Sequence, residues 1–438
     1  MEATPAPPGP LRSASLLACL GGTLLLRAAA GGAGILVSLL LAQIGREGGS
    51  VPAWAVGLAS ALFFATELLG APGFGVLSDR YGRRPFLLIS PLLGGAAAAL
   101  MLALPLLPVV LFSRLFQGLS TAASAPSSLG FVADASAGDA TLRGRVMAAF
   151  EVTTVAGMIS GWAAGGLLWD RLGLLSFIPI LVIYGLSWLA FTRVREVQRL
   201  RRAERHPAPH VALLSALRLP GVAAFIPAWL AVNAILGAWF AHIGYQLASA
   251  DDPGQLLVGG FKGAQVGLYA AVVGLIFLAG LVLWGQSLGR LGALRSMRFG
   301  LVGMFALCPA LYLLNHAQPH DVVRITVALA CSGLALLVAS GFTPAALAHL
   351  ADISETEVGE RGAVMGLYSV LLGLGQLLGA MIAAPFVDVL RVDGLILLTL
   401  LLAGASAAGV AVLGARHEAF IAARRPAPAP VQVEVDPS

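Results

Sequence analysis

Long apolar stretches, each near or above 20 residues and separated by short segments in which arginine is concentrated, follow one another from about residue 15 to about residue 415. A helix of that length spans the ~30 Å hydrocarbon core of a bilayer. Only 11% of the 438 residues are charged, against about 25% in a soluble domain, so the chain lacks the polar surface to meet water on all sides. The pattern predicts an all-α membrane protein with twelve transmembrane helices. They lie near 15–43, 53–78, 86–106, 108–132, 144–168, 174–192, 221–247, 263–287, 296–314, 322–348, 362–387 and 394–415. The first run contains Arg27 and is longer than a signal-peptide core of roughly 7–15 residues, so it reads as a span. Proline within several spans, as at Pro72 and Pro126, is tolerated where neighbouring helices or water satisfy the freed backbone groups.

Charge placement sets the expected orientation. With the N-terminus inside, the inside segments carry 20 Lys and Arg and the outside ones 5 (Arg46, Arg171, Lys262, Arg324 and Arg391). The positive-inside rule then puts both termini in the cytoplasm. The same distribution argues against nucleic acid as a partner, because the basic residues divide the spans instead of forming one patch. The expected organisation is a disordered cytoplasmic tail at 1–14, a six-helix bundle at 15–192, a cytoplasmic linker at 193–220, a second six-helix bundle at 221–415 and a cytoplasmic tail at 416–438. Two readings stand for the Arg-rich linker. Residues 193–206 form an amphipathic basic helix on anionic membrane lipid, or the segment is a solvated connection that enforces topology. Cys19, Cys308 and Cys331 all lie inside apolar runs with no metal spacing and read as packing residues.

The halves are copies. Shifting 123–173 onto 341–391 matches 14 of 51 positions without a gap, where roughly five are expected by chance. Pro126 falls on Pro344, Asp134 on Asp352, Arg143-Gly144 on Arg361-Gly362, Gly157 on Gly375, Gly161 on Gly379 and Asp170 on Asp388. Parallel halves with a binding site between them at mid-membrane are a transporter architecture.

Between spans two and three the chain reads Gly75-Val76-Leu77-Ser78-Asp79-Arg80-Tyr81-Gly82-Arg83-Arg84-Pro85. Glycines permit the turn, arginines hold it inside, and Asp79 can pair with an arginine or a helix N-terminus. This segment resembles the signature loop of the major facilitator superfamily. Arg114-Leu115-Phe116-Gln117-Gly118 is similar to that family's Arg-x-x-Gln-Gly motif. Gly157-x-x-x-Gly161-Trp162-x-x-Gly165-Gly166 is similar to the antiporter motif of its twelve-span drug/proton branch, with Trp162 where the branch has proline. The resemblance implies two pseudo-symmetric bundles and a cytoplasmic gating cluster at Asp79, Arg80, Arg83, Arg84, Asp134 and Arg143, with Asp352 and Arg361 as its copy. The second-half loop has Gly289 in place of Asp79, so the latch is expected on one side only. Gly157, Gly161, Gly165, Gly375 and Gly379 are expected at helix contacts.

Four ionisable residues fall inside spans, all in the first half: Arg27, Glu67, Arg114 and Glu151. Each costs at least ~2.5–3.5 kcal/mol at mid-bilayer and needs a partner or a function. In the repeat, Arg114 meets Ser332 and Glu151 meets Ser369, so these charges mark where the copies diverged. The expectation is that Glu67 or Glu151 binds a coupling proton, tuned by Arg27 or Arg114; the alternative is two neutral structural pairs. Gln117, Asn233, Gln265 and Gln376 are candidate cavity residues, and His242 a hydrogen-bonding one. No metal-spaced cluster, nucleophile–base pair or phosphate loop is visible, so no enzyme, cofactor or metal is expected. The leading expectation is a monomeric plasma-membrane exporter that trades protons for small lipophilic substrates. Uptake or facilitated diffusion of a neutral solute, and a non-transporting sensor or assembly factor on the same fold, are the alternatives.

Overall fold

The computed structural model describes residues 10–48, 51–137, 139–195, 220–250, 252, 254–356 and 361–424. The first half contains α1 (Pro10–Arg46), α2 (Ala53–Tyr81), α3 (Arg84–Ala103), α4 (Leu107–Ala135), α5 (Ala140–Leu172) and α6 (Phe177–Thr192). The second contains α7 (Pro220–Ala248), α8 (Gly263–Leu291), α9 (Ala293–Asn315), α10 (Val322–Ala339), α11 (Phe342–Thr356), α12 (Arg361–Leu390) and α13 (Val392–Arg424). Several helices overrun the apolar limits by about one to two and a half turns. α1 begins at Pro10 and α13 runs to Arg424, so parts of the expected tails are helical. Most of the linker and both extreme termini lie outside the described residues.

Among the described residues ten stretches are long and apolar enough to cross a membrane. One of them, Thr141–Thr192, holds both α5 and α6. α4 is not among the ten because Arg114, Gln117 and a row of serines and threonines dilute it. Those groups are turned inward: Ser113, Gln117, Ser120, Thr121, Ser124, Ser127 and Ser128 are buried, and Ser120 donates to Ser90 O of α3 at 2.7 Å. With α4 added and α5 and α6 taken separately, the described residues are consistent with the twelve expected spans. The tenth, expected as one helix over 322–348, is broken at Ser340–Gly341 into α10 and α11. A Cβ at Gly341 would lie 2.6 Å from the Trp284 ring of α8, and the indole donates to Leu337 O at 3.0 Å. The break gives that ring its seat.

Each half has its own core. One joins Leu26, Leu36, Leu87, Phe131, Phe177 and Phe191; the other joins Phe225, Trp229, Met297, Phe342, Leu371 and Leu413. In lipid no hydrophobic force draws helices together, so close backbone approach has to hold them. α5 lies on α1 through Gly157, Gly161 and Gly165, whose added Cβ atoms would meet Leu24 O at 2.5 Å, Gly32 N at 2.8 Å and Gly32 Cα at 2.9 Å respectively. α12 lies on α7 in the same manner: a Cβ at Gly375 would sit 2.6 Å from Asn233 Cβ, and one at Gly379 would run into Ala234 O. All five glycines lie where two helix backbones come close.

The halves meet along α5–α8 and α2–α12. Gly166 faces Gly263 and Gly267 there, and Gly57 faces Ala380. Hydrogen bonds across the seam involve Arg46 with Ala248 O, Ala53 with Asp388, Tyr245 with Val51 O, and Gly263 with Asp170. All of these lie at the end away from the Gly75–Pro85 loop, here termed the outer end; the loop marks the Arg-rich end.

Gly161→Val should lower the thermal unfolding midpoint in detergent, at a cost of about 1–3 kcal/mol, because the added carbons force α1 from α5. Gly144→Ala, where a Cβ meets nothing within 4 Å, should not lower it.

Candidate functional site

At the Arg-rich end Gly82 takes φ +97°, a left-handed value that favours glycine, and turns the chain from α2 into α3. The turn brings Arg83 inward to 12% exposure. Its guanidinium pairs with Asp79 at 2.5 Å and with Asp134 of α4 at 3.4 Å, and donates to Ser78 Oγ at 2.7 Å. Space for it comes from Gly130, where a Cβ would lie 2.6 Å from Arg83 Nε. Arg84 donates to Thr192 O of α6 at 3.1 Å. Arg80 lies over the Tyr81 ring, 5.4 Å from its centroid. Arg143 is exposed on α5. The side chains of Asp352 and Arg361 lie outside the described residues. The α8–α9 turn repeats the backbone, with Gly292 at φ +76°, but carries Gly289 and Ala293 where the first half has Asp79 and Arg83.

The intramembrane charges converge in the first half. Arg114 of α4 is fastened: Nε donates to Ala59 O of α2 at 3.0 Å, Nη1 bonds Gln117 Oε1, and Cζ lies 4.7 Å from the Phe63 ring centroid. Such a cation–π contact is worth about 2 kcal/mol when desolvated. Arg27 of α1 is held differently. Its Nε is buried without a hydrogen-bond partner, and it stands within electrostatic reach of Glu67 of α2, Glu151 of α5 and Tyr184 of α6. Glu67 lies within electrostatic reach of both Arg27 and Arg114. Among the described residues none of the four closes a direct ion pair with another. Glu151 is exposed, which places it on the open side of the cluster.

Tyr184 is the member that sequence inspection missed. It is 2% exposed and lies within reach of both Arg114 and Arg27. It passes across α3 at Gly94, where a Cβ would meet the ring at 2.5 Å and the hydroxyl at 2.8 Å. An uncharged tyrosine in an apolar run carries no charge signal; only a large residue facing a glycine could have hinted at it.

The expected cavity residues divide. Gln117 is spent on Arg114 through Oε1, while its Nε2 has no partner. Asn233 is fully buried, donating to Trp229 O at 2.9 Å with Oδ1 unpartnered. Gln376 is half-buried where α7 crosses α12 at Gly237. Gln265 is a correction: it is exposed at the outer end and caps α8, accepting from Lys262 N at 2.8 Å. Its position in the first turn of α8 keeps it from mid-membrane. His242 is buried and bonds Ala380 O at 3.0 Å through Nε2. Trp162, in the place of the motif proline, reaches over the seam to Phe240 at 6.3 Å between centroids; its ring covers Gly274, and its carbonyl lies against Gly267. α5 is accordingly unbroken from Ala140 to Leu172.

Arg83→Ala should cost about 1–2 kcal/mol of stability, since one guanidinium serves two partly exposed carboxylates. Arg83→Lys should not restore it, because an ammonium cannot span both. Gly130→Ala, which displaces the guanidinium, should reproduce the loss in the same thermal assay.

The family description Major Facilitator Superfamily matches residues 19–338. The chain is 34% identical over 155 residues to the class C tetracycline resistance protein of Escherichia coli, covering 35% of this chain and 37% of that protein. It is 29% identical over 332 residues to the class G tetracycline resistance protein of Vibrio anguillarum, covering 73% of this chain and 77% of that one. In fold it is similar to the nucleoside transporter NupG, with a TM-score of 0.71 and 11% identity over 93% of this chain and 98% of that one. It is also similar to a bacterial homolog of the human lysosomal transporter Spinster in an inward-facing and occupied conformation, with a TM-score of 0.68 and 13% identity over 96% and 99% of the two chains. The match running from α1 into α10, together with the two-bundle fold, shows that the chain belongs to the Major Facilitator Superfamily.

Proposed function

We propose that the chain is a proton-coupled exporter of small lipophilic compounds that works as a monomer by alternating access in the plasma membrane. The Arg-rich end and both termini lie in the cytoplasm. The reading is supported most by Arg27, a half-buried cation whose buried Nε has no hydrogen-bond partner and which stands within reach of two carboxylates, closing a direct ion pair with neither among the described residues. A charge so placed is free to change partners. When a proton binds Glu67 or Glu151, that carboxyl stops attracting Arg27, and the guanidinium turns to the other. A carboxylate cannot hold a proton and a cationic substrate together, so each displaces the other, which is the elementary requirement of exchange. Arg114, fastened to α2 and Gln117, supplies a fixed field around Glu67. Similarity to tetracycline resistance proteins supports export.

A second reading, facilitated movement of a neutral solute, is favoured by Trp162 in the antiporter motif and by the unbroken α5. The Asp79–Arg83–Asp134 cluster weighs against a fold that has lost transport.

The test is substrate-evoked proton efflux in everted vesicles loaded with an inside-acid gradient, using lipophilic cations, antibiotics and neutral sugars as probes. Wild type should respond to lipophilic compounds, and Glu67→Gln or Glu151→Gln should abolish the response while inserting normally. If both variants keep full gradient-driven transport, proton coupling at this cluster is wrong.

A further inference from the structure

Two helices at the outer seam receive no side-chain bond from their own N-cap residue, and in α8 Gln265 accepts only from Lys262 N, leaving the next N–H groups open. α2 begins after Pro52 and α8 after Lys262, and neither N-cap residue supplies a side-chain cap bond. The two have nearly the same backbone, with φ −69° and ψ 153° at Pro52 and φ −71° and ψ 155° at Lys262. Each helix is the second of its half, and each starts with backbone N–H groups that find no partner within the helix.

The missing acceptors come from the opposite half. Asp170, near the end of α5, accepts from Gly263 N at 2.7 Å through Oδ1 and from Ala264 N at 2.9 Å through Oδ2. Asp388, near the end of α12, accepts from Ala53 N at 3.0 Å. These aspartates are the pair that the 218-residue repeat superimposes. We infer that Asp170 and Asp388 are a symmetry-related double latch, holding the outer gate shut by capping a helix N-terminus across the seam. This rests on the alternating-access reading and adds the residues that set the outer gate.

The chemistry suits a reversible gate. An anion at a helix N-terminus gains from both the hydrogen bonds and the macrodipole. Both aspartates are exposed, so when the halves rock apart water replaces the lost bonds and the carboxylates remain solvated. Each cap therefore biases the closed state without locking it. The latch is unequal, with two bonds on the α5 side and one on the α12 side. Arg46 adds a contact of opposite sense by donating to Ala248 O near the end of α7.

The test is pulsed electron–electron distance measurement on full-length protein in lipid nanodiscs, after replacing Cys19, Cys308 and Cys331. One label pair reads the outer end, at Glu47 and Val323; a second reads the Arg-rich end, at Arg145 and Arg295. All four sites are exposed. Asp170→Ala with Asp388→Ala should lengthen the outer distance and shorten the Arg-rich one, with the closed-to-open ratio falling about five-fold per carboxylate. Asp388→Asn should lie closer to wild type than Asp388→Ala, because one acceptor oxygen serves the single bond there while only the charge is lost. Asp170→Asn should fall between wild type and alanine. Unchanged distances in the double alanine variant would overturn the latch. So would lengthening at both ends, which signals loosening of the fold. A wild-type protein whose distances do not answer to a proton gradient would count against the exchange reading while leaving the latch test intact.

Discussion

Close backbone approach at glycine is what the remainder of this structure rests on. Lipid is as apolar as leucine, so helices in a bilayer gain little from burying apolar side chains against each other. They hold by contact, and contact is closest where a Cβ is missing. α5 settles on α1 through Gly157, Gly161 and Gly165, and α12 settles on α7 through Gly375 and Gly379. The same α5 then meets α8 through Gly166. One helix therefore ties the inside of its own bundle to the seam between bundles.

That packing also places the charges. A Cβ at Gly157 would lie 2.9 Å from Arg27 Cβ, so the glycine row holds the arginine of α1 beside α5, six residues from Glu151. Gly94 admits Tyr184 to the same centre from α6. All six helices of the first half contribute to one cluster: Arg27, Glu67, Gly94, Arg114, Glu151 and Tyr184. Burial of polar groups at such a cost persists in membranes where they line a solvated path or carry out a function. The core of the second half instead holds aromatic stacking, with Trp229 against Tyr368 at 4.7 Å and against Phe342 at 6.4 Å between centroids.

The ends of the molecule are built on different devices. At the Arg-rich end of the first half one buried guanidinium joins α2, α3 and α4 through two carboxylates. At the outer end the bonds run from side chains to helix termini across the seam. Ion pairs within a bundle make it move as one body. Caps exchanged between bundles bear on which arrangement of the two bodies prevails.

Fold class, span positions and the duplication were legible in the linear chain because bilayer thickness imposes a length on each apolar run, and because the repeat preserves residue identity at fixed offset. The Asp79–Arg83 pair was legible for the same local reason, four residues apart across a glycine turn. What a side chain faces was not. Gln265 and Gln117 are the same residue in comparable apolar settings, yet one caps a helix at the surface and the other receives Arg114 in the interior. Tyr184 is unremarkable until Gly94 is seen opposite it, and Asp170 and Asp388 look like ordinary loop-end acids until each lies against the first turn of a helix in the other half. Sequence alone determined the twelve-span, two-copy architecture, since hydropathy and periodicity are properties of neighbours along the chain. Tertiary structure decided which charges share a centre and which acids bridge the seam, because those distances depend on how closely rigid helices approach, and that is set jointly by residues far apart in the chain.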